Sequence, residues 1–111
     1  MVVASGGDGT VAALLHALAG TDVPVCVFPS GTANLLAANI GNAPEPSALA
    51  RACRKGKTAT VDLGEISWED ERGVRGTRGF ALMSGTGFDA QLMQAALPNK
   101  AIMGQAAYFA A

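Results

Sequence analysis

Val2-Val3-Ala4-Ser5-Gly6-Gly7-Asp8-Gly9-Thr10-Val11-Ala12-Ala13-Leu14-Leu15 is the stretch that decides the fold. An apolar run, a glycine-rich corner and a second apolar run spell a strand, a tight turn and a helix start. The sequence predicts a buried strand over residues 2–5 and a helix over 10–19, stopped by Gly20. A turn at 21–24 leads into Val25-Cys26-Val27-Phe28, whose β-branched and aromatic residues suit a strand covered on both faces. Strand, helix and strand at this spacing make a βαβ unit, with parallel strands and a right-handed crossover. The two turns that follow these strands then lie at their C-terminal ends, where open α/β sheets bind ligands.

The first corner also carries chemistry. Glycine has no side chain to keep a polyphosphate from the backbone. The helix start adds unpaired N–H groups and the positive end of its dipole. Asp8 sets this corner apart from a plain phosphate cradle. A carboxylate among phosphates is repelled unless a metal ion or a transferable proton compensates. The motif therefore points to chemistry on phosphate. The plain alternative is that Asp8 caps its own helix, although Thr10 stands close enough to do so instead. The second turn, Pro29-Ser30-Gly31-Thr32-Ala33-Asn34, sets three short polar side chains around one corner. Ser30, Thr32 and Asn34 read either as a capping cluster or as groups that bond phosphate and the neighbouring loop.

Beyond this turn the sequence predicts a short helix over 34–39, ending near Gly41. Ser47 is the expected N-cap of a helix over 48–55, with Gly56 as its stop. The character changes at Thr58. Strand composition runs over 58–68, with Asp62 expected on an outer face. After the charged turn Glu69-Asp70-Glu71-Arg72-Gly73, further strand is predicted over 74–77 and 80–84, as a hairpin or meander. Gly85-Thr86-Gly87-Phe88-Asp89-Ala90 is another glycine turn. A helix over 91–97 is broken at Pro98, and another starts over 104–111. The fold class is α/β: a parallel βαβ nucleotide-binding unit over residues 1–57, then the start of a β-rich antiparallel second domain over 58–111. Two parallel strands do not make a stable sheet alone. We expect these residues to be part of a larger chain, with an open sheet edge that invites pairing with a second copy.

Bulk properties bound the function. The chain has 111 residues, 50% apolar and 15% charged, with a formal net charge of −1. That composition folds rather than staying disordered, and it argues against nucleic acid as a partner. Arg51, Arg54, Lys55 and Lys57 cluster at a predicted helix end, where the dipole favours them; attraction to anionic lipid or nucleotide is the sharper alternative. Cys26 and Cys53 form no known motif. Cys26 reads as a small core residue, and a reduced, cytoplasmic setting fits. No stretch is long and apolar enough to span a bilayer, so any membrane contact is expected to be peripheral. His16, inside the first helix, reads as a packing or surface residue, and no His/Cys/Asp cluster has transition-metal spacing.

The three turns Gly6-Gly7-Asp8-Gly9-Thr10, Pro29-Ser30-Gly31-Thr32-Ala33-Asn34 and Gly87-Phe88-Asp89-Ala90, in that order, resemble the diacylglycerol kinase catalytic-domain family. That family includes bacterial lipid kinases and the sphingosine kinases. NAD kinases share the first turn; the second is what discriminates, and Lys100, Gly104 and Tyr108 behind the third agree with it. The resemblance implies an ATP-dependent kinase of two domains with the active site between them. It implies transfer of the γ-phosphoryl group to a diacylglycerol-like lipid hydroxyl at the inner membrane face, with Mg²⁺ as the companion ion. Gly6, Gly7, Asp8, Gly9, Thr10, Ser30, Gly31, Thr32 and Asn34 would hold the nucleotide. Asp8 would be the base acting on the hydroxyl, and Asp89 would lie near the lipid head group. The metal ligands stay unassigned. Relatives carry sheet strands before and after this stretch, and many have asparagine in place of Leu82, so the 111 residues alone are expected to show little or no turnover. An NAD-kinase-like phosphotransferase and a non-catalytic nucleotide-binding remnant are the alternatives.

Overall fold

Gly7 converts strand into helix. In the computed structural model, which describes residues 1–96, β1 (Val2–Gly6) ends there and α1 (Asp8–Ala17) begins. The expected break at Pro98, the helix start over 104–111, and Lys100, Gly104 and Tyr108 lie outside the described residues. Gly7 is an extended N-cap (φ −86°, ψ 179°) whose carbonyl accepts the Val11 N–H at 3.1 Å. The helix therefore starts before the expected Thr10, because backbone alone makes the cap. It also stops early: Ala19 N–H donates to the His16 carbonyl at 3.2 Å, an i→i−3 bond that tightens and ends the last turn.

β2 (Val25–Pro29) pairs with β1 in parallel, in register from Val2 opposite Val25 to Gly6 opposite Pro29, as the sequence predicts. Val11, Leu14 and Leu15 of α1 fall at i, i+3 and i+4, so they share one helix face. That face joins Ala4, Val25 and Val27 of the strands and Leu36 and Ala37 of α2 (Leu35–Asn39) in one core cluster. Val11 is the largest fully buried side chain among the described residues. Its burial contributes about 2 kcal/mol. The exit of α2 is tied down by Asn42, whose Nδ2 donates to the Val27 carbonyl at 2.8 Å.

α3 (Pro46–Lys55) packs against β2. Its N-cap is Glu45 and not the expected Ser47, because Pro46 takes the first helical position. Proline suits that place, since its φ is preset and its missing N–H would have had no helical partner. Gly56 closes the helix as expected, with its N–H on the Ala52 carbonyl at 2.8 Å.

The antiparallel unit is a two-stranded hairpin of β3 (Gly64–Glu69) and β4 (Arg75–Phe80). Residues 58–63 join no described ladder, so Asp62 is exposed on irregular chain instead of on a strand face. One strand, Arg75–Phe80, stands in place of the two expected at 74–77 and 80–84, and residues 81–84 join no strand. Glycines at 76 and 79 break the apolar pattern in the sequence, but the packing requires them. The Trp68 ring lies over Gly76, and a methyl group on buried Gly79 would run into His16 of α1. His16 is thus a packing residue, and β4 sits directly on α1. Asp70 shapes the connecting turn: its Oδ1 accepts the N–H groups of Arg72 (2.9 Å) and Val74 (2.8 Å). α4 (Phe88–Ala96) starts ahead of the expected residue 91. No helix among the described residues is long and apolar enough to cross a membrane.

Candidate functional site

The parallel ladder delivers two loops side by side. Its last pair is Gly6 opposite Pro29, and the next contact continues it: Ser30 N–H donates to the Gly6 carbonyl at 3.2 Å. The Ser5 and Ser30 hydroxyls meet at 3.2 Å on top of the strands. Beyond them the loops touch backbone to backbone. A methyl group on Gly31 would occupy the space of the Gly7 main chain, so only glycine at 31 lets the loops come this close.

Asn34 holds the second loop in shape. It sits in the left-handed region (φ 52°, ψ 41°), a conformation that asparagine tolerates better than most residues. Its Oδ1 accepts the Gly31 N–H at 2.8 Å, and its Nδ2 donates to the Gly31 carbonyl at 2.7 Å. The side chain closes residues 31–34 into a ring. It therefore cannot cap the helix that it precedes.

Asp8 makes that cap from across the site. The Leu36 N–H donates to Oδ1 of Asp8 at 3.0 Å, and the Leu35 N–H donates to Oδ2 at 3.1 Å. These amides open α2 and have no partner inside it. The capping alternative for Asp8 is thus realised, but on the second loop's helix and not on its own. This also corrects the premise that only a metal ion or a proton offsets the carboxylate's repulsion from phosphate. Two amide dipoles at a helix start do so as well. Each carboxylate oxygen has a second lone pair, so Asp8 can still accept a bond from a hydroxyl.

Gly6, Gly7, Asp8 and Asn34 stand together where the loops meet, over a crevice too tight to admit water that runs down to Val11, Val27 and Ala37 of the core, so a ligand would lie on the outer face of the loops. The N–H groups of Asp8, Gly9 and Thr10 belong to the first turn of α1 and have no intrahelical acceptor. Gly9, Thr10, Ser30, Gly31 and Thr32 are exposed. The arrangement offers an anion several unpaired amides and short hydroxyls. As a metal site it does not fit. Asp8 is the sole carboxylate of the two loops, both its oxygens hold amides, and no group of three His, Cys, Asp or Glu gathers among the described residues.

Asp89 stands apart. It lies exposed in the first turn of α4, and no hydrogen bond among the described residues joins it to either loop. Sequence reasoning missed Ser5 and Asn42, which tie the loops and α2 to the strands. Ser5 was legible as the last side chain before the glycines; Asn42 has no signal beyond its place after Gly41.

Residues 1–66 match the family model described as the diacylglycerol kinase catalytic domain, a span that holds both loops and α1 to α3. The chain belongs to the diacylglycerol kinase catalytic-domain family. It is 40% identical over 90 residues to a protein named diacylglycerol kinase in two strains of Mycobacterium tuberculosis, covering 80% of this chain and 28% of each relative. It is 30% identical over 95 residues to an uncharacterized protein of Synechocystis sp., covering 86% of this chain and 20% of that one. The chain thus spans under a third of the length of these relatives. No solved structure matches it.

Proposed function

We propose that this chain is the nucleotide-facing part of an ATP-dependent lipid kinase, which transfers the γ-phosphoryl group of ATP to the hydroxyl of a diacylglycerol-like lipid. The observation that carries the reading is the anchored carboxylate: Asp8 stands between two glycine loops at the C-terminal ends of parallel strands, fixed by two amides of α2. Mg-ATP is the substrate form, with the ion brought by the nucleotide. The phosphates meet the free amides of Gly7, Asp8, Gly9 and Thr10 and the Ser30 and Thr32 hydroxyls, while Gly6, Gly31 and Asn34 set the loops' approach and shape. Asp8 accepts the lipid hydroxyl on a remaining lone pair and aims its oxygen at the phosphorus. A loose transition state lets that proton leave late, so orientation matters more than base strength. Asp89 contacts the head group, from a second domain that begins near Thr58. The enzyme works peripherally, at the cytoplasmic membrane face.

The test is a phosphorylation assay of the full-length chain with Mg-ATP, offering diacylglycerol in mixed micelles or NAD. Lipid-dependent release of ADP with a phosphorylated lipid is expected. Asp8→Asn should lower kcat by roughly a hundredfold or more. Phosphorylation of NAD in place of lipid overturns the reading, and nucleotide binding with no acceptor turned over assigns a non-catalytic role instead.

A further inference from the structure

The second loop commits most of its donors within the fold. The Ser30 N–H goes to the Gly6 carbonyl, the Gly31 N–H to Asn34, and the Leu35 and Leu36 amides to Asp8. The Ser30 hydroxyl is different. It lies 3.2 Å from the Ser5 hydroxyl, 25 positions back along the chain, and either oxygen can donate to the other. Strand alternation puts this pair on the sheet face opposite the core residues Ala4 and Val27, since Ser5 follows Ala4 and Ser30 continues the side of Phe28. Both serines are exposed. Among the described residues neither hydroxyl bonds its own neighbouring backbone, the common habit of a serine near a turn. We propose that Ser5 is a positioning residue for the nucleotide: its hydroxyl donates to Ser30 Oγ and so turns the single Ser30 hydroxyl proton out toward a phosphate oxygen.

A serine hydroxyl has one proton and two acceptor lone pairs. The oxygens of an ionised polyphosphate only accept. Once a phosphate takes the Ser30 proton, Ser30 can meet Ser5 only as an acceptor, so Ser5 must be the donor. The empty pair can run either way, and the ligand selects one direction. In the chain from Ser5 to Ser30 to phosphate, the first bond polarises the second, because a hydroxyl that accepts becomes a better donor. Ser5 also limits the rotation of an exposed side chain, so less freedom is lost when phosphate binds. It is a firm support. Ser5 is the last side chain of β1 before Gly6 and stands opposite Phe28 in the ladder, so the sheet holds it rather than a loop. This role rests on the reading that the loops hold Mg-ATP, and it extends that site from the glycine corners into the strand beneath them.

Calorimetric titration with Mg-ATP tests this on the full-length chain, comparing the native protein with Ser5→Ala, Ser5→Thr, Ser30→Ala and the double alanine variant. Urea midpoints are measured alongside. Ser5→Ala should weaken Mg-ATP binding about three- to tenfold, the worth of one neutral hydrogen bond. Ser5→Thr keeps the hydroxyl and should bind as the native chain does. In the Ser30→Ala background, Ser5→Ala should cost nothing further, because its only route to the ligand is gone. Urea midpoints should stay near native, since both side chains are exposed. Unchanged Mg-ATP affinity in Ser5→Ala, no rescue by threonine, or an equal loss with and without Ser30 overturns the proposal and leaves the kinase reading standing. A native chain that binds no Mg-ATP overturns both.

Discussion

Removing the Asp8 carboxylate should loosen the second loop before any question of catalysis arises. Its oxygens hold the Leu36 and Leu35 amides at 3.0 and 3.1 Å, so Asp8→Ala leaves both without an acceptor at the head of α2. Loss of a helix cap costs about 0.5–2 kcal/mol. Two bonded amides argue for the upper half of that range, and the half-exposed setting, where water replaces part of each bond, pulls it down. We expect a loss of about 1.5 kcal/mol, or roughly tenfold in the folding equilibrium. Asp8→Asn keeps one acceptor oxygen but turns an NH₂ group toward the other amide, so it should lose about half as much. Urea unfolding of the full-length chain and its two variants measures the stability. Amide hydrogen exchange reports the cause, because exchange at Leu35 and Leu36 should quicken in Asp8→Ala. An unchanged urea midpoint, together with unchanged protection at those amides, would refute the claim that the carboxylate holds α2. In that event Asp8 would serve ligand chemistry alone.

Other perturbations probe the remaining contacts. Gly31→Ala should cost about 1–3 kcal/mol by forcing the second loop off the Gly7 backbone, read as a lower urea midpoint together with weaker nucleotide binding. Asn34→Gly removes the ring closure while sparing the left-handed backbone, and Asn34→Ala loses both; thermal unfolding should place the alanine variant about 1 kcal/mol below the glycine variant. Gly79→Ala should destabilise the seat of β4 on α1, and adding His16→Ala should recover part of the loss, a coupling that a double-mutant cycle measures. Cys26 titrates above its ordinary value of 9.0, so below that pH both folded and unfolded chains keep the proton and its contribution to stability is intact. As pH rises past 9.0 the unfolded chain ionises first and stability falls, until pH exceeds the folded value. Urea midpoints across this range should fall more steeply in the native chain than in Cys26→Ser.

Residues close in sequence carried most of the fold. The apolar runs at 2–4 and 25–28, and the Val11, Leu14 and Leu15 spacing between them, specify a strand, a helix and a parallel strand, because side-chain period and chain direction are local properties. The glycines at 6, 7 and 31 marked the two corners for the same reason. The hairpin was legible as a type but not in its bounds. Gly76 and Gly79 look like breaks until Trp68 and His16 stand against them, and those neighbours come from other elements.

The sequence by itself determined that a βαβ unit would place two glycine loops at one end of a parallel sheet, since periodicity and turn chemistry act within a few residues. Tertiary structure alone decided which groups satisfy which. The Asp8 carboxylate meets amides 27 and 28 positions along the chain, and the Asn42 side chain meets the Val27 carbonyl. Such pairings depend on how far β2, α2 and α3 fold back over one another, and no local pattern of side chains encodes that distance.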